Sequence, residues 1–94
     1  MRQIDSEKAI EKRLAEGVKA KGGIALKYPS SYANGMPDRI ILMPGGRISF
    51  VELKTTGKKP TKLQELQHSR LRSLGFQVVT IDTLVGVENY LKEL

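Results

Sequence analysis

The sequence predicts an α/β fold in which a small mixed β-sheet is flanked by helices, in the order α-β-β-β-α-β-α. Three observations carry that expectation. Two β-rich runs, 38–43 and 47–54, flank Pro44-Gly45-Gly46 and read as a hairpin. Apolar residues return at helical spacing near both ends of the chain. Gly, Pro, Ser and Asn cluster between the periodic stretches, and no repeat, low-complexity tract or interdomain linker interrupts them.

Taken in order, Asp5 or Ser6 can cap a first helix whose buried stripe is Ile10, Leu14 and Val18, and Gly22-Gly23 stops it. Residues 24–28 alternate apolar with Ala and Lys and end at Pro29, which marks a short strand. The stretch from Pro29 to Pro37 is a loop. The hairpin follows, and a second loop, 55–60, leads into Thr61-Lys62-Leu63-Gln64. That pattern is a capping box opening a helix that Gly75 closes. Residues 76–81 form a fourth strand, and Asp82 or Thr83 caps a last helix carrying Leu84, Val87, Leu91 and Leu94.

Composition narrows the function. With 94 residues and 39% apolar content, the chain supports one domain, residues 1–94, with a single modest core. Sixteen Lys and Arg against ten Asp and Glu leave a charge of +6, which favours a polyanionic partner, nucleic acid or acidic membrane. No apolar run approaches the ~20 residues of a spanning helix. No charged-then-apolar leader opens the chain, so export is not expected and a cytoplasmic setting is. The absence of cysteine removes disulfides and thiolate zinc sites, and one histidine does not make a zinc site. A metal would therefore sit among oxygens, as Mg²⁺ or Mn²⁺ prefer.

The hairpin brings the chemistry together. If its turn centres on Gly45, Leu42 opposes Ile48, Ile40 opposes Phe50 and Asp38 opposes Glu52. Opposed residues point to one side of a sheet with Cβ atoms roughly 4.5–5.5 Å apart, so two carboxylates there repel unless a cation lies between them. Lys54 shares the face of Glu52 one step further on, and the Leu53 backbone carbonyl between them is a further hard oxygen. Two acids and an ammonium so placed suit a divalent metal and a phosphate. Glu7 falls on the stripe of Ile10 and Leu14, where a carboxylate needs a partner; alternatively it complements the helix dipole in a first turn. Lys58, Lys59 and Lys62 cluster just beyond, where a loop and helix start can hold phosphates.

Plainer readings compete. Asp38 beside Arg39 could be a strand-start ion pair, and Glu52 with Lys54 a solvated salt bridge, although Ile48 and Phe50 mark that face as buried. Gln64 could serve only the capping box, His68 reads as a surface or helix-packing histidine, and the lysines could occupy a flexible loop.

Gly35-x-Pro37-Asp38, then Val51-Glu52-Leu53-Lys54, then Gln64 at a helix start and Leu71-Arg72-Ser73-Leu74-Gly75 at its end, resemble the virus-type replication-repair nuclease (VRR-NUC) family of the PD-(D/E)xK superfamily. The resemblance runs from about Glu7 to Ile81. It implies a restriction-endonuclease-like core, metal binding by Glu7, Asp38 and Glu52, catalysis by Lys54, and a place for Gln64 in the site. Glu11, one turn from Glu7, is the other candidate for the helix-borne acid. The implied reaction is phosphodiester hydrolysis leaving a 5′-phosphate and a 3′-hydroxyl. Stand-alone members resemble homodimeric Holliday-junction resolvases of phage and bacterial origin. Branched DNA, a four-way junction above all, and a second copy of the chain are thus the implied partners. The helices bearing Leu71, Leu74, Leu84, Leu91 and Leu94 carry more apolar positions than a small sheet covers, which hints at a dimer surface. A nickase or flap nuclease, a catalytically inactive nucleic-acid-binding domain, and a structural subunit for an acidic protein are the alternatives.

Overall fold

A computed structural model describes residues 3–27 and 34–94. The elements are α1 (Glu7–Ala20), β1 (Ile24–Leu26), β2 (Arg39–Met43), β3 (Arg47–Leu53), α2 (Lys62–Ser73), β4 (Gln77–Ile81) and α3 (Leu84–Lys92), the predicted order. The local signals act as expected. Ser6 caps α1 by accepting the Ala9 N–H, Thr61 and Gln64 form the reciprocal capping box of α2, and Thr83 caps α3 by accepting the Gly86 N–H. Gly75, at φ +98°, turns the chain out of α2. The first strand ends at Leu26, short of its predicted end; Tyr28 and the first part of the following loop lie outside the described residues.

The four strands lie in the order β1-β2-β3-β4. The first three run antiparallel, and β4 joins β3 parallel after the α2 crossover. Ile40 faces Phe50 and Leu42 faces Ile48, the register expected of a turn centred on Gly45. Period-2 alternation then divides the sheet. Ile41, Met43, Val51, Leu53 and Ile81 face α1 and α3 and form the larger core with Ile10, Leu14, Val18, Val87 and Leu91. Phe50 and Val78 face α2 and pack on Leu71, with Met36 and Ile40 at the margin.

The leucines that hinted at a dimer surface are mostly used inside the molecule. Leu71 and Leu91 are buried, and Leu84 and Leu94 pack against the larger core; of the five only Leu74 is well exposed. Exposed apolar side chains also occur on the sheet, where Ile24, Leu26 and Ile48 lie on the α2 side beyond the reach of a single helix, and on the helices at Leu63, Leu66 and Val85. Among the described residues, no helix is long and apolar enough to cross a membrane.

Candidate active site

The exit of the hairpin and the start of α2 build the site. Glu52 belongs to the β3 face that looks toward α2, and it is 1% exposed despite its charge. Its Oε2 receives the Gln64 Nε2–H at 2.9 Å and lies 3.2 Å from the Lys54 ammonium. Its Oε1 is buried with no hydrogen-bond partner among the described residues. Asp38, just before β2, sits one step beyond the last ladder pair, Arg39 with Val51, and accepts the Leu53 N–H on Oδ2 at 2.7 Å. The carboxylate thus closes the end of the ladder and stands against Glu52.

Burial, then repulsion from Asp38 and hydrogen bonding with it, push the Glu52 carboxyl up to about 7, although Lys54 acts to lower it. The two acids therefore repel each other at the end of the sheet, where Glu52 is fully buried and Asp38 partly so. An unpaired buried carboxylate oxygen beside a second carboxylate fits a divalent cation of the Mg²⁺ or Mn²⁺ type, which prefers oxygen ligands. Among the described residues no three His, Cys, Asp or Glu side chains converge on one point. Among the described residues Asp38 and Glu52 are the side-chain acids gathered there, and backbone oxygen, water or substrate would complete the ligands of such an ion.

Glu7 takes the second of its two readings, an acid in the first turn of α1. Its side chain is exposed, because α1 overshoots the core by its first turn and the buried stripe begins at Ile10. Its backbone remains close to the site, for its N–H donates to the Thr55 hydroxyl at 3.3 Å. Glu11 is half-buried but engaged, lying 3.4 Å from Arg39 and 3.8 Å from Lys27. Arg39 thus pairs with α1, not with Asp38, and also donates to the Ala25 carbonyl at 2.6 Å. Asp38 is free of the strand-start ion pair that its neighbour suggested.

Two further devices hold the site. Gly35, at φ +77°, lies so close to α2 that an added Cβ would stand 2.8 Å from Leu63 Cγ and 2.9 Å from the Leu63 carbonyl oxygen. The Gly-x-Pro-Asp loop therefore presses directly on the turn that carries Gln64. On the other side, Thr56 is a buried clasp. Its hydroxyl accepts the Asp5 N–H at 2.9 Å and donates to the Asp82 carbonyl at 2.6 Å. Asp5 in turn accepts the Leu84 N–H at 2.8 Å, and Asp82 the Gly57 N–H at 3.0 Å. The chain leaving Lys54 is fixed by both neighbouring segments. Lys58, Lys59 and Lys62 extend outward from it, all exposed.

His68 takes the helix-packing one of its two readings, not the surface one. It is 2% exposed and stands one turn after Gln64 on the inner face of α2. The spacing Gln64, His68, Leu71 was the available signal, because it continues a buried stripe.

Comparisons with known proteins agree with this geometry. No protein-family model matches the chain. It is 47% identical over 77 residues to a curated protein named "Putative nuclease p44", from Acyrthosiphon pisum secondary endosymbiont phage 1, the alignment taking in 82% of this chain and 83% of that protein. A solved structure described as a VRR_NUC domain superposes with a TM-score of 0.84 at 28% identity, covering 94% of this chain and 97% of that one.

Proposed function

This chain belongs to the VRR-NUC family of the PD-(D/E)xK nuclease superfamily, and from that we propose that it is a metal-dependent, structure-specific DNA endonuclease. The observation that carries the reading is the buried Glu52, held by Lys54 and Gln64 through one oxygen and left with the other unpaired beside Asp38. We assign the cation, Mg²⁺ or Mn²⁺, to Asp38, Glu52 and the Leu53 backbone carbonyl, with Glu7 acting through water or toward a second ion. When bound, the ion neutralises phosphodiester charge and lowers the pKa of water.

The residues of the chain do the rest. Lys54 is held on Glu52 with its side chain only 17% exposed, so its charge acts with little screening. It orients the attacking water and stabilises negative charge gathering on five-coordinate phosphorus. Gln64 spends its Oε1 on the Thr61 N–H and an Nε2–H on Glu52, so it acts first by positioning Glu52. Lys58, Lys59 and Lys62 meet the phosphate backbone, which sets position without reading sequence.

A domain of 10.5 kDa has room for few base contacts, which favours recognition of shape, and branched DNA above linear duplex. The four-way junction is the preferred substrate, cut by a homodimer whose two sites nick opposed strands. Exposed Ile24, Leu26 and Ile48 support a second copy as partner. The phage relative supports action inside a bacterial cell, in DNA repair or phage replication.

The test is cleavage of four-way junction, flap, single-stranded and linear duplex DNA with Mg²⁺ and then Mn²⁺, with light scattering to count subunits. Junction cleavage lost in Asp38→Ala and Lys54→Ala is expected. Cleavage of none of these, or equal cleavage by both variants, rejects the catalytic assignment; binding without cleavage points to a nucleic-acid-binding module. Preference for a flap or a single nick points to the other branched-DNA nucleases of this fold.

A further inference from the structure

His68 is the one histidine of the chain, and its place in α2 is set by two neighbours on the same face. Four residues earlier Gln64 reaches Glu52, and three residues later Leu71 packs on Phe50 and Val78. His68 therefore lies over the part of β3 between the site and the smaller core. Its Nε2 is buried with no hydrogen-bond partner among the described residues. An aliphatic side chain would fill such a position without leaving a polar atom unsatisfied, so the imidazole is a liability in the metal-free fold.

The groups around it explain what the imidazole is for. Arg72 and Glu65 approach from its own helix, Asp38 from the start of β2 and Lys54 from the end of β3. Burial first, and then Arg72, hold its pKa below the ordinary value, with Lys54 adding to that effect and Asp38 and Glu65 opposing it. The ring is therefore neutral, with one nitrogen protonated and able to donate. Asp38 and Glu52 stand against each other at the end of the sheet, and one Glu52 oxygen is buried with no hydrogen-bond partner among the described residues. Once a cation takes that place, both are full anions, and carboxylate ligands of a metal are themselves held by donors behind them.

Building on the metal-site reading above, we propose that His68 is a positioning residue of this nuclease: its buried, unpaired Nε2 is the hydrogen-bond donor that the Asp38–Glu52 pair takes up when a divalent cation is bound. It does not touch substrate. An unpaired buried nitrogen costs stability, and donating to a metal-ligating carboxylate would offset that cost, so the histidine couples metal binding to the packing of α2.

The experiment separates this role from packing by looking for opposite signs. Mn²⁺ is titrated calorimetrically into the metal-free parent, His68→Leu, His68→Gln and Asp38→Ala, and each is unfolded in urea with EDTA. His68→Leu is expected to be as stable as the parent or more so without metal, yet to bind Mn²⁺ at least tenfold more weakly. His68→Gln, which keeps an N–H donor, is expected to recover most of that affinity. Equal Mn²⁺ affinity in His68→Leu and parent overturns the proposal, as does an equal loss in the Leu and Gln variants, which marks a packing role alone. Should Asp38→Ala abolish Mn²⁺ binding while His68→Leu leaves it intact, only the His68 assignment falls. A parent protein that binds no Mn²⁺ overturns the metal site and this proposal together.

Discussion

Glu52→Gln should make the metal-free protein more stable at alkaline pH while abolishing cleavage, and the structure sets the size of the effect. The Glu52 carboxyl titrates near 7 in the fold against 4.5 when unperturbed. The folded state therefore holds a proton that the unfolded chain has released, and stability falls as pH rises between those values. At 1.36 kcal/mol per pKa unit, the loss above pH 7 is about 3 kcal/mol. Glutamine has nearly the same shape, can still accept from Gln64, and has no charge to bury. Acids remote from the site titrate alike in both proteins and cancel in the difference. The stability of Glu52→Gln relative to the parent should therefore climb by about 3 kcal/mol from pH 4.5 to pH 8, on the order of 15 °C in thermal midpoint. Urea unfolding in EDTA at a series of pH values measures it. A difference that stays flat within about 0.5 kcal/mol across that range would refute the reading of Glu52 as a buried acid pressed against Asp38. Excess Mg²⁺ at pH 8 should narrow the gap, because an ion at a hundred times its Kd stabilises the parent by about 2.7 kcal/mol.

Lys54→Met should keep the fold, since the methionine stem fills the same space, and should lower kcat on order of 10²-fold or more; an unchanged kcat would remove Lys54 from the chemistry. Gly35→Ala combines a φ of +77° with contact against Leu63, so it should cost about 2 kcal/mol and reduce cleavage by displacing Gln64. Gly57→Ala is its control: at φ +92° it meets nothing within 4 Å, and it should carry only a backbone cost of about 1 kcal/mol with cleavage retained. Replacing Lys58, Lys59 and Lys62 together by Ala should weaken DNA binding evenly across sequences and reduce the salt slope by about 3, read by fluorescence anisotropy from low to high salt. An unaltered slope would move the DNA path to another face.

The parts of the molecule legible in the sequence are those with local causes. The hairpin register followed from Pro44-Gly45-Gly46 and strict alternation, and Thr61 with Gln64 declared their capping box within four residues. Glu7 kept two readings open because spacing gives the direction of a helical stripe but not how far the neighbouring layer extends; here the core stops at Ile10 and Glu7 is a first-turn acid. The leucine-rich helices looked oversupplied because α1 and α3 were not known to share one face of the sheet, where Leu91 packs among α1 side chains. Thr56 gave no signal at all. Its partners, Asp5 and Asp82, are 51 and 26 residues away, and only the fold brings them together.

That clasp has a consequence for the order in which the candidate site is completed. The acids and the lysine of the site lie in the first two-thirds of the chain, and the hairpin carrying them can form early in synthesis. The segment leaving Lys54 is secured only when Asp82 arrives behind β4, which must itself insert parallel to β3. A fragment ending before that point carries the two acids and the lysine without the segment that fixes the chain beyond them. The framework of the candidate site is thus completed by a strand that follows it in the chain, not by the hairpin that bears its charges.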